Sequence, residues 1–101
     1  MATIVVDAEN VRRSVWPNIR RHELDELCDA WGADHGHDVT VVWEGERSAD
    51  DTIVDTVRAL TPPVWVVTSD RELRARVGDA AERIIGGGSF ARALRSLDRG
   101  G

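Results

Sequence analysis

The segment that most constrains the fold is a run of β-branched residues near the start of the chain, Ile4, Val5 and Val6, which ends in Asp7. An apolar run without polar alternation is typical of a strand buried on both faces, as strands are in parallel sheets covered by helices. In an open parallel α/β sheet, the ligand crevice lies beyond the carboxyl ends of the strands. The sequence therefore predicts that Asp7 stands at the mouth of such a crevice, with Asn10 close behind it along the chain.

Further strand-like runs alternate with segments in which apolar residues recur at helical spacing. The other predicted strands are residues 39–43, 64–67 and 82–85. The predicted helices run from Pro17 to Gly32, from Ser48 to the residues before Pro62, from Ser69 to about Gly78, and from Ser89 onward. Residues 8–16 form a predicted loop between the first strand and the first helix. Short strands alternating with helices predict a parallel sheet covered on both faces. We therefore expect an α/β three-layer sandwich with a mostly parallel four-stranded sheet, and a single domain over residues 1–101.

Two of the predicted helices begin with the spacing of a capping box, in which a serine is followed three residues later by an acidic side chain. Ser48 has this relation to Asp51, and Ser69 has it to Glu72. The second box places Asp70 in the first turn of its helix.

Composition narrows the classes of function. The net charge of −5 argues against a protein that coats nucleic acid by bulk electrostatics, although all 13 basic residues are arginines, which can bind a few phosphates locally. No apolar run reaches the length of a membrane span, and the first residues lack the basic region of a signal peptide. Because Cys28 is alone, we expect a reducing, cytoplasmic location.

Carboxylates follow three of the predicted strands. Asp7 ends the first strand, Asp50 and Asp51 begin the helix after the second, and Asp70 follows the third. Since right-handed crossovers bring these strand ends to one edge of the sheet, the carboxylates would repel one another unless a cation lay between them. Mg²⁺ and Mn²⁺ prefer oxygen ligands of this kind, and they can activate water for phosphodiester cleavage. Few histidines and a single cysteine make zinc a poorer candidate.

These acidic segments also resemble those of a known family. Residues 7–10 (Asp-Ala-Glu-Asn), 48–51 (Ser-Ala-Asp-Asp) and 66–71 (Val-Val-Thr-Ser-Asp-Arg) resemble, in order, the three acidic motifs of the PIN-like nuclease superfamily. Within it they are most similar to the NYN branch and its YacP-like ribonucleases. Nearly the whole chain is covered by the resemblance, up to the predicted last strand and helix.

The resemblance implies a metal-dependent endoribonuclease with a PIN-like fold, which would use Mg²⁺ or Mn²⁺ to cleave RNA. Its metal-binding and catalytic acids would be Asp7, Asp51 and Asp70, and its supporting residues would be Asn10, Asp50 and Ser69. The chain departs from the family pattern at Glu9, which replaces an aromatic residue and adds a negative charge where a base or phosphate would pass.

Four arginines lie on the loops of the predicted acidic edge and are candidates for contacts to the RNA backbone: Arg12, Arg13, Arg47 and Arg71. The alternative for each is a solvated surface arginine. The expected partner is single-stranded RNA, with no membrane, and a homodimer is one option for the assembly.

Other side chains have simpler interpretations. The macrodipole of a helix favours a carboxylate in its first turn by about 0.3–1 kcal/mol, which accounts for Asp50, Asp51 or Asp70 taken singly. His35 and His37 are interpreted as parts of a solvated turn, and Trp16 as a packing residue rather than a base-stacking one.

Two other functions fit the same sequence pattern. One is a non-catalytic module that keeps the fold and binds RNA or protein, which Glu9 favours. The other is a phosphoacceptor receiver domain, which ranks last because that class needs a late lysine and the chain contains none.

Overall fold

The computed structural model describes residues 1–99, and the side chains of residues 1–97. In chain order the elements are β1 (Thr3–Asp7), α1 (Ala8–Arg13), α2 (Arg21–His35), β2 (Asp38–Val42), α3 (Ala49–Ala59), β3 (Val64–Val67), α4 (Arg71–Val77), β4 (Arg83–Ile85) and α5 (Gly87–Arg99). No helix within residues 1–99 is both long and apolar enough to span a membrane.

The four strands form one parallel sheet in the order β2-β1-β3-β4. Strand β1 is central, and its residue Val6 pairs with Val41 of β2 and with Val67 of β3. The carboxyl ends of these three strands are therefore in register along one edge. This arrangement confirms the predicted parallel four-stranded α/β fold.

Side chains of β1 alternate between two helical layers, as the two-residue period of a strand requires. Ile4 and Val6 pack against α1, α2 and α5, whereas Val5 packs against α3 and α4. All three side chains are fully buried. Helices thus cover both faces of the sheet, which is why the three residues before Asp7 are all apolar.

Helix α1 corrects the prediction of a loop over residues 8–16. Strand β1 passes directly into this helix, where Val11 is fully buried in the core beside α5. The backbone N–H of Ser14 and its hydroxyl donate to the carbonyls of Val11 and Asn10 and end the helix. Tertiary burial of Val11 stabilises a helix that is too short to be recognised from its periodicity.

The boundaries of α2 also differ from the prediction. The helix begins at Arg21 rather than at Pro17, and Gly32 lies inside it rather than at its end. A Cβ at Gly32 would stand 2.8 Å from the carbonyl oxygen of His37, so this glycine permits close packing of α2 on the start of β2. The residue that ends the helix is Gly36, which has a φ of 72° in the left-handed region that favours glycine.

One capping prediction is confirmed and two are wrong. The Ser48 hydroxyl caps α3 by accepting from the backbone N–H of Asp51 at 3.2 Å. At α4 the cap is Asp70 instead of Ser69, since the Asp70 carboxylate accepts from the backbone N–H of Leu73 at 3.0 Å. Helix α5 begins at Gly87, before the predicted cap Ser89.

Candidate active site

The carboxyl edge of the sheet carries an open cleft of about 490 Å³. Its lining residues come from the ends of β1 and β2, from α1 and the residue after it, and from the starts of α3 and α4: Asp7, Glu9, Asn10, Arg13, Ser14, Glu44, Ser48, Asp50 and Asp70. Three of the carboxylates, those of Asp7, Asp50 and Asp70, come from three separate strand ends as predicted. The fold therefore brings together acids that are distant along the chain.

Asp7 is the most deeply buried carboxylate of the cleft, with 6% of the residue exposed. One of its oxygens, Oδ2, accepts a hydrogen bond from the Thr68 hydroxyl at 2.9 Å. Burial raises the pKa of Asp7; the hydrogen bond from Thr68 opposes that rise, and the negative charges of Asp50 and Asp70 add to it. The cleft thus holds a carboxylate whose ionised form is disfavoured by its surroundings.

Asp50 lies in the first turn of α3 and faces the same cleft. Partial burial raises its pKa, and the neighbouring Asp70 raises it further, while Arg76 acts in the opposite direction. Asp7 and Asp50 are therefore both affected by the charge of Asp70. Such mutual repulsion is typical of carboxylates arranged around a site for a cation or a proton.

Asp51 points elsewhere. Its carboxylate accepts from the Arg76 guanidinium at 3.0 Å and does not line the cleft. Hydrogen bonds from the side chains of Arg76 and Ser48 lower the pKa of Asp51, the opposite of the shift at Asp50. The structure therefore brings Asp50, in place of Asp51, beside Asp7 and Asp70, and the metal-binding role of Asp51 stays a prediction.

A signal for Asp50 was present in the sequence. Asp50 precedes Ile53, Val54 and Val57 by three, four and seven positions, which is the spacing of residues on one face of a helix. Those three apolar residues are buried against the sheet. Asp50 therefore continues the inward face of α3 toward the sheet edge.

Thr68 is a site residue that the sequence prediction missed. It is fully buried, and its hydroxyl both donates to Asp7 Oδ2 and accepts from the backbone N–H of Asp70 at 3.1 Å. Because the oxygen already accepts the Asp70 N–H, the hydroxyl proton is directed at Asp7. Thr68 follows Val67, the partner of Val6, so the strand register would have placed it beside Asp7.

Asn10 and Ser69 tie the loops of the cleft together. The Asn10 side-chain oxygen accepts from the backbone N–H of Ser69 at 2.9 Å, and the Ser69 hydroxyl accepts from the backbone N–H of Gly87 at 2.8 Å. A Cβ at Gly87 would collide with Asn10 Oδ1 and stand 2.9 Å from the Ser14 hydroxyl. These residues hold the starts of α1, α4 and α5 at fixed positions around the carboxylates.

Glu9, the departure from the family pattern, is surrounded by arginines. Its carboxylate lies 3.3 Å from Arg12 Nε, 3.0 Å from Arg13 Nε and 3.2 Å from Arg21 Nη2. Its Oε2 is buried and has no hydrogen bond of good geometry among residues 1–97, so its contacts with Arg12 and Arg13 are those of an ion pair. The added negative charge is therefore compensated within the protein.

The four candidate RNA-binding arginines have different surroundings. Arg12 is mostly buried beside Glu9, whereas Arg13 is exposed and lines the cleft. Arg47 pairs with Asp55 at 2.8 Å, outside the cleft lining. Arg71 is exposed at the start of α4 and forms no ion pair with the carboxylates of residues 1–97. Arg13 and Arg71 are thus the better placed of the four for an incoming phosphate.

The donor set of the cleft consists of oxygens, which suits Mg²⁺ or Mn²⁺ better than zinc. Within the side chains of residues 1–97, no group of three His, Cys, Asp or Glu residues is arranged so that it could hold a metal ion. Magnesium usually binds proteins through one or two carboxylates and keeps several waters, and any one or two of Asp7, Asp50 and Asp70 could supply those ligands from the cleft lining. A closed cage of protein ligands is not the arrangement found here.

Two of the three histidines, His35 and His37, lie at the opposite, amino edge of the sheet. His35 stacks on Trp31 with ring centres 4.2 Å apart, and His37 Nδ1 accepts from the backbone N–H of Ala2 at 3.0 Å while its ring contacts Trp65. The turn is solvated as predicted, since residues 33–36 are exposed, but its two histidine rings also pack on tryptophans and His37 is only half-buried. The prediction that Trp16 packs in the protein is wrong, because 86% of this residue is exposed.

Comparison with known proteins identifies the fold. No family model matches the chain, and no curated protein matches it. Among solved structures, the crystal structure of the W164L mutant of Rae1 (YacP) from Bacillus subtilis superimposes with a TM-score of 0.80 at 18% sequence identity, covering 96% of this chain and 76% of that one. An identity this low shows the fold alone. The chain therefore has the fold of YacP, and the predicted YacP-like, PIN-like fold is confirmed.

Proposed function

We propose that the protein is a divalent-metal-dependent endoribonuclease that cleaves RNA phosphodiester bonds in the cleft at the carboxyl edge of its sheet. The observation that carries the proposal is the convergence of Asp7, Asp50 and Asp70 from three strand ends on one open cleft. The YacP fold and the three acidic motifs support a nuclease over other α/β functions.

Charge in the cleft supports a cation as its ligand. Burial and neighbouring carboxylates raise the pKa of both Asp7 and Asp50, so the ionised forms are disfavoured in the free protein. A divalent ion bound among these oxygens would reverse that effect, since an opposite charge favours the ionised form. Bound Mg²⁺ or Mn²⁺ would be held by one or two of the carboxylates of Asp7, Asp50 and Asp70 together with water, and would supply an activated water and stabilise the departing oxygen.

Three neighbouring side chains, those of Thr68, Asn10 and Ser69, orient the carboxylates of the cleft and the loop beside them. Thr68 donates its hydroxyl proton to Oδ2 of Asp7, and the backbone N–H of Asn10 also interacts with this carboxylate and lowers its pKa. Asn10 and Ser69 fix the loop that carries Asp70. The geometry of the carboxylates is therefore set by a network of hydrogen bonds, of which the Thr68–Asp7 bond is buried, as a preorganised site requires.

Arginines near the acids account for substrate binding. Arg13 pairs with Glu9 but is exposed at the cleft, and Arg71 is exposed at the start of α4, so these two would contact phosphate oxygens directly. Arg12 is mostly buried beside Glu9, and Arg47 is engaged by Asp55 outside the cleft lining. We take single-stranded RNA as the substrate from the resemblance to YacP-like ribonucleases. The free, buried Cys28 is consistent with the cytoplasm as its location, and a homodimer stays a prediction.

The test is cleavage of a fluorescently labelled single-stranded RNA by the purified full chain, with Mg²⁺, Mn²⁺ or EDTA. We expect turnover with either metal and none in EDTA. Asp7→Asn should lower the rate by more than about 100-fold, because replacing residues that only support a metal site already costs 10–100-fold. Asn can still accept the Thr68 hydrogen bond, so the fold should persist in circular dichroism.

The matched control is Asp79→Asn, which removes an exposed carboxylate that is remote from the cleft lining. It should cleave as the wild type does. Equal rates for wild type and Asp7→Asn in Mn²⁺ would refute the enzyme proposal.

A second candidate function is an RNA- or protein-binding module without catalysis. It is favoured by the lack, within residues 1–97, of three side chains arranged to hold a metal ion, and by the engagement of Asp51 with Arg76. RNA binding that is insensitive to EDTA, with no turnover in either metal, would distinguish this function from the nuclease.

A further inference from the structure

Trp16 is exposed on a loop that is otherwise well anchored. The loop joins α1 to α2, and 86% of Trp16 is accessible to solvent. On one side of it, Val15 packs against the core; on the other, Ile19 is fully buried and its backbone N–H donates to the Arg12 carbonyl at 3.0 Å. The exposed position of the indole is therefore built into a fixed loop.

Arg95 of α5 strengthens this anchoring. Its guanidinium donates to the backbone carbonyls of Trp16 and Pro17, the residues at the tip of the loop. A guanidinium has five N–H donors, so further donors remain after these two contacts. The loop is thus tied to α5 at the point where Trp16 projects outward.

A second cavity, of about 450 Å³, lies beside Trp16. It is lined by Val15, Trp16, Arg92, Arg95 and Ser96. Arg92 is exposed and forms no ion pair with any carboxylate among the described side chains. In a chain with a net charge of −5, an aromatic ring flanked by two arginines is a local site for an anion that also carries a flat apolar group.

This cavity adjoins the acidic cleft. Ser14 lines the cleft and the next residue, Val15, lines the cavity, so a strand of nucleic acid leaving the cleft past Ser14 would meet Trp16 two residues on. Two residues span at most about 7 Å. The two cavities are therefore close enough to contact one continuous strand.

We propose that Trp16 and Arg92 form a subsite for single-stranded RNA beside the acidic cleft, in which the indole stacks on a base and the guanidinium contacts a phosphate. Aromatic stacking tolerates any base, and arginine contacts to the backbone add affinity without sequence preference. The subsite rests on the proposed function for its substrate, but it uses neither the carboxylates nor a metal. Arg95 positions the loop that presents the indole.

The test measures RNA affinity in EDTA, where cleavage does not occur. The full chain is titrated against a labelled single-stranded RNA and against a strand of equal length made of abasic nucleotides, with fluorescence anisotropy as the readout. For Trp16→Ala we expect the Kd for RNA to rise by about 5- to 150-fold, and the Kd for the abasic strand to stay unchanged. Trp16→Phe, which keeps a ring, should recover part of the affinity.

Arg92→Gln should behave differently, because the binding of a phosphate does not depend on bases. It should weaken the binding of both strands, and the slope of log Kd against log salt should fall by about 0.7, because the protein then neutralises one phosphate fewer. Arg58→Gln removes an exposed arginine at the far end of α3 and serves as the matched control, with no expected change.

Several outcomes would overturn the subsite. RNA affinity that is equal in wild type and Trp16→Ala would do so, as would a reduction in affinity that is the same for the abasic strand, or wild-type protein that binds no RNA. The first result is also what a protein partner at Trp16 would give. If wild type and Trp16→Ala both cleave RNA and bind it equally well, the nuclease proposal holds and the subsite proposal fails. If binding depends on bases and on Trp16 but no RNA is cleaved in Mn²⁺, the subsite proposal holds and the nuclease proposal fails.

Discussion

The two edges of the sheet use their polar side chains in opposite ways. At the amino edge, His35 and His37 stack on Trp31, and His37 also contacts Trp65 and accepts a hydrogen bond from the backbone of Ala2. At the carboxyl edge, Asp7 and Asp50 share an open cleft with Asp70, and their charges are disfavoured there.

This difference between the two edges indicates that the polar side chains of one edge serve packing and those of the other serve a function. Polar groups at the amino edge are satisfied by neighbours, so their presence is explained by stability. The charges of Asp7 and Asp50 at the carboxyl edge raise the free energy of the folded protein, and such a cost persists in proteins chiefly where a function requires it. Substitutions at the two edges should therefore have opposite effects on stability and activity.

The largest expected difference is between the cleavage rates of variants at the neighbouring acids Asp50 and Asp51. If the cleft is the site of cleavage, Asp50→Asn should lower the rate of RNA cleavage by about 10- to 100-fold, because it removes a carboxylate from the cation site. Asp51→Asn should change the rate by only about twofold, as for most surface substitutions. Initial rates in Mn²⁺ measure both.

The opposite ranking would restore the family assignment of Asp51 as the metal ligand, with Arg76 released when the metal binds. Thermal unfolding of both variants should be followed alongside, so that a loss of activity is compared among folded proteins.

The next effect concerns the amino edge. In Gly32→Ala the new methyl group would stand 2.8 Å from the carbonyl oxygen of His37 and 2.9 Å from Val39 Cγ2. Overpacking of this kind costs about 1–3 kcal/mol, against a gain of about 1 kcal/mol for alanine as a helix former. Since the nearer of these two atoms belongs to the backbone, we expect a net loss of about 1–2 kcal/mol in urea unfolding, with cleavage unchanged in the folded fraction.

Gly45→Ala is the control, because its added methyl group would meet nothing within 4 Å. A loss of activity in folded Gly32→Ala protein would show that the amino edge is coupled to the cleft, which would contradict the separation of the two edges.

The smallest expected effect is the change in the free energy of unfolding caused by Asp7→Asn. Burial raises the pKa of Asp7 above its ordinary value of 3.8, so the stability that the protonated form contributes is present below that value and is lost as pH rises through the folded pKa. Asparagine does not ionise, so the variant keeps this stability as the pH rises. We therefore expect Asp7→Asn to be more stable than wild type at pH 7 by about 0.5–2 kcal/mol, as in other exchanges of activity for stability.

Urea unfolding at pH 7 and near pH 4 tests the sign, since the advantage of Asp7→Asn should shrink toward acid pH. A variant that is less stable than wild type at pH 7 would mean that the Thr68 hydrogen bond to the ionised carboxylate outweighs the burial and repulsion that oppose it.

Much of the fold was predictable because its signals are local and repeated. The apolar runs Ile4–Val6 and Val64–Val67 and the apolar stripe of α3 place the strands and one helix without knowledge of any tertiary contact. Helix α1 was not predictable in this way, because a helix of six residues with one fully buried valine is too short to show a helical repeat of apolar residues. Gly32 was misread because a glycine needed for close packing looks the same in sequence as one that ends a helix.

By itself, the sequence determined that carboxylates would gather at one sheet edge, because buried parallel strands joined by helices all end on the same side. Only the tertiary structure decided which carboxylates face the cleft and which aromatic ring faces solvent. Neighbouring residues on a helix point about 100° apart, so the packing of Ile53 and Val57 against the sheet turns Asp50 inward and leaves Asp51 to Arg76. In the same way, the buried side chain of Ile19 and the contacts of Arg95 hold Trp16 outward, although tryptophan alone would favour burial.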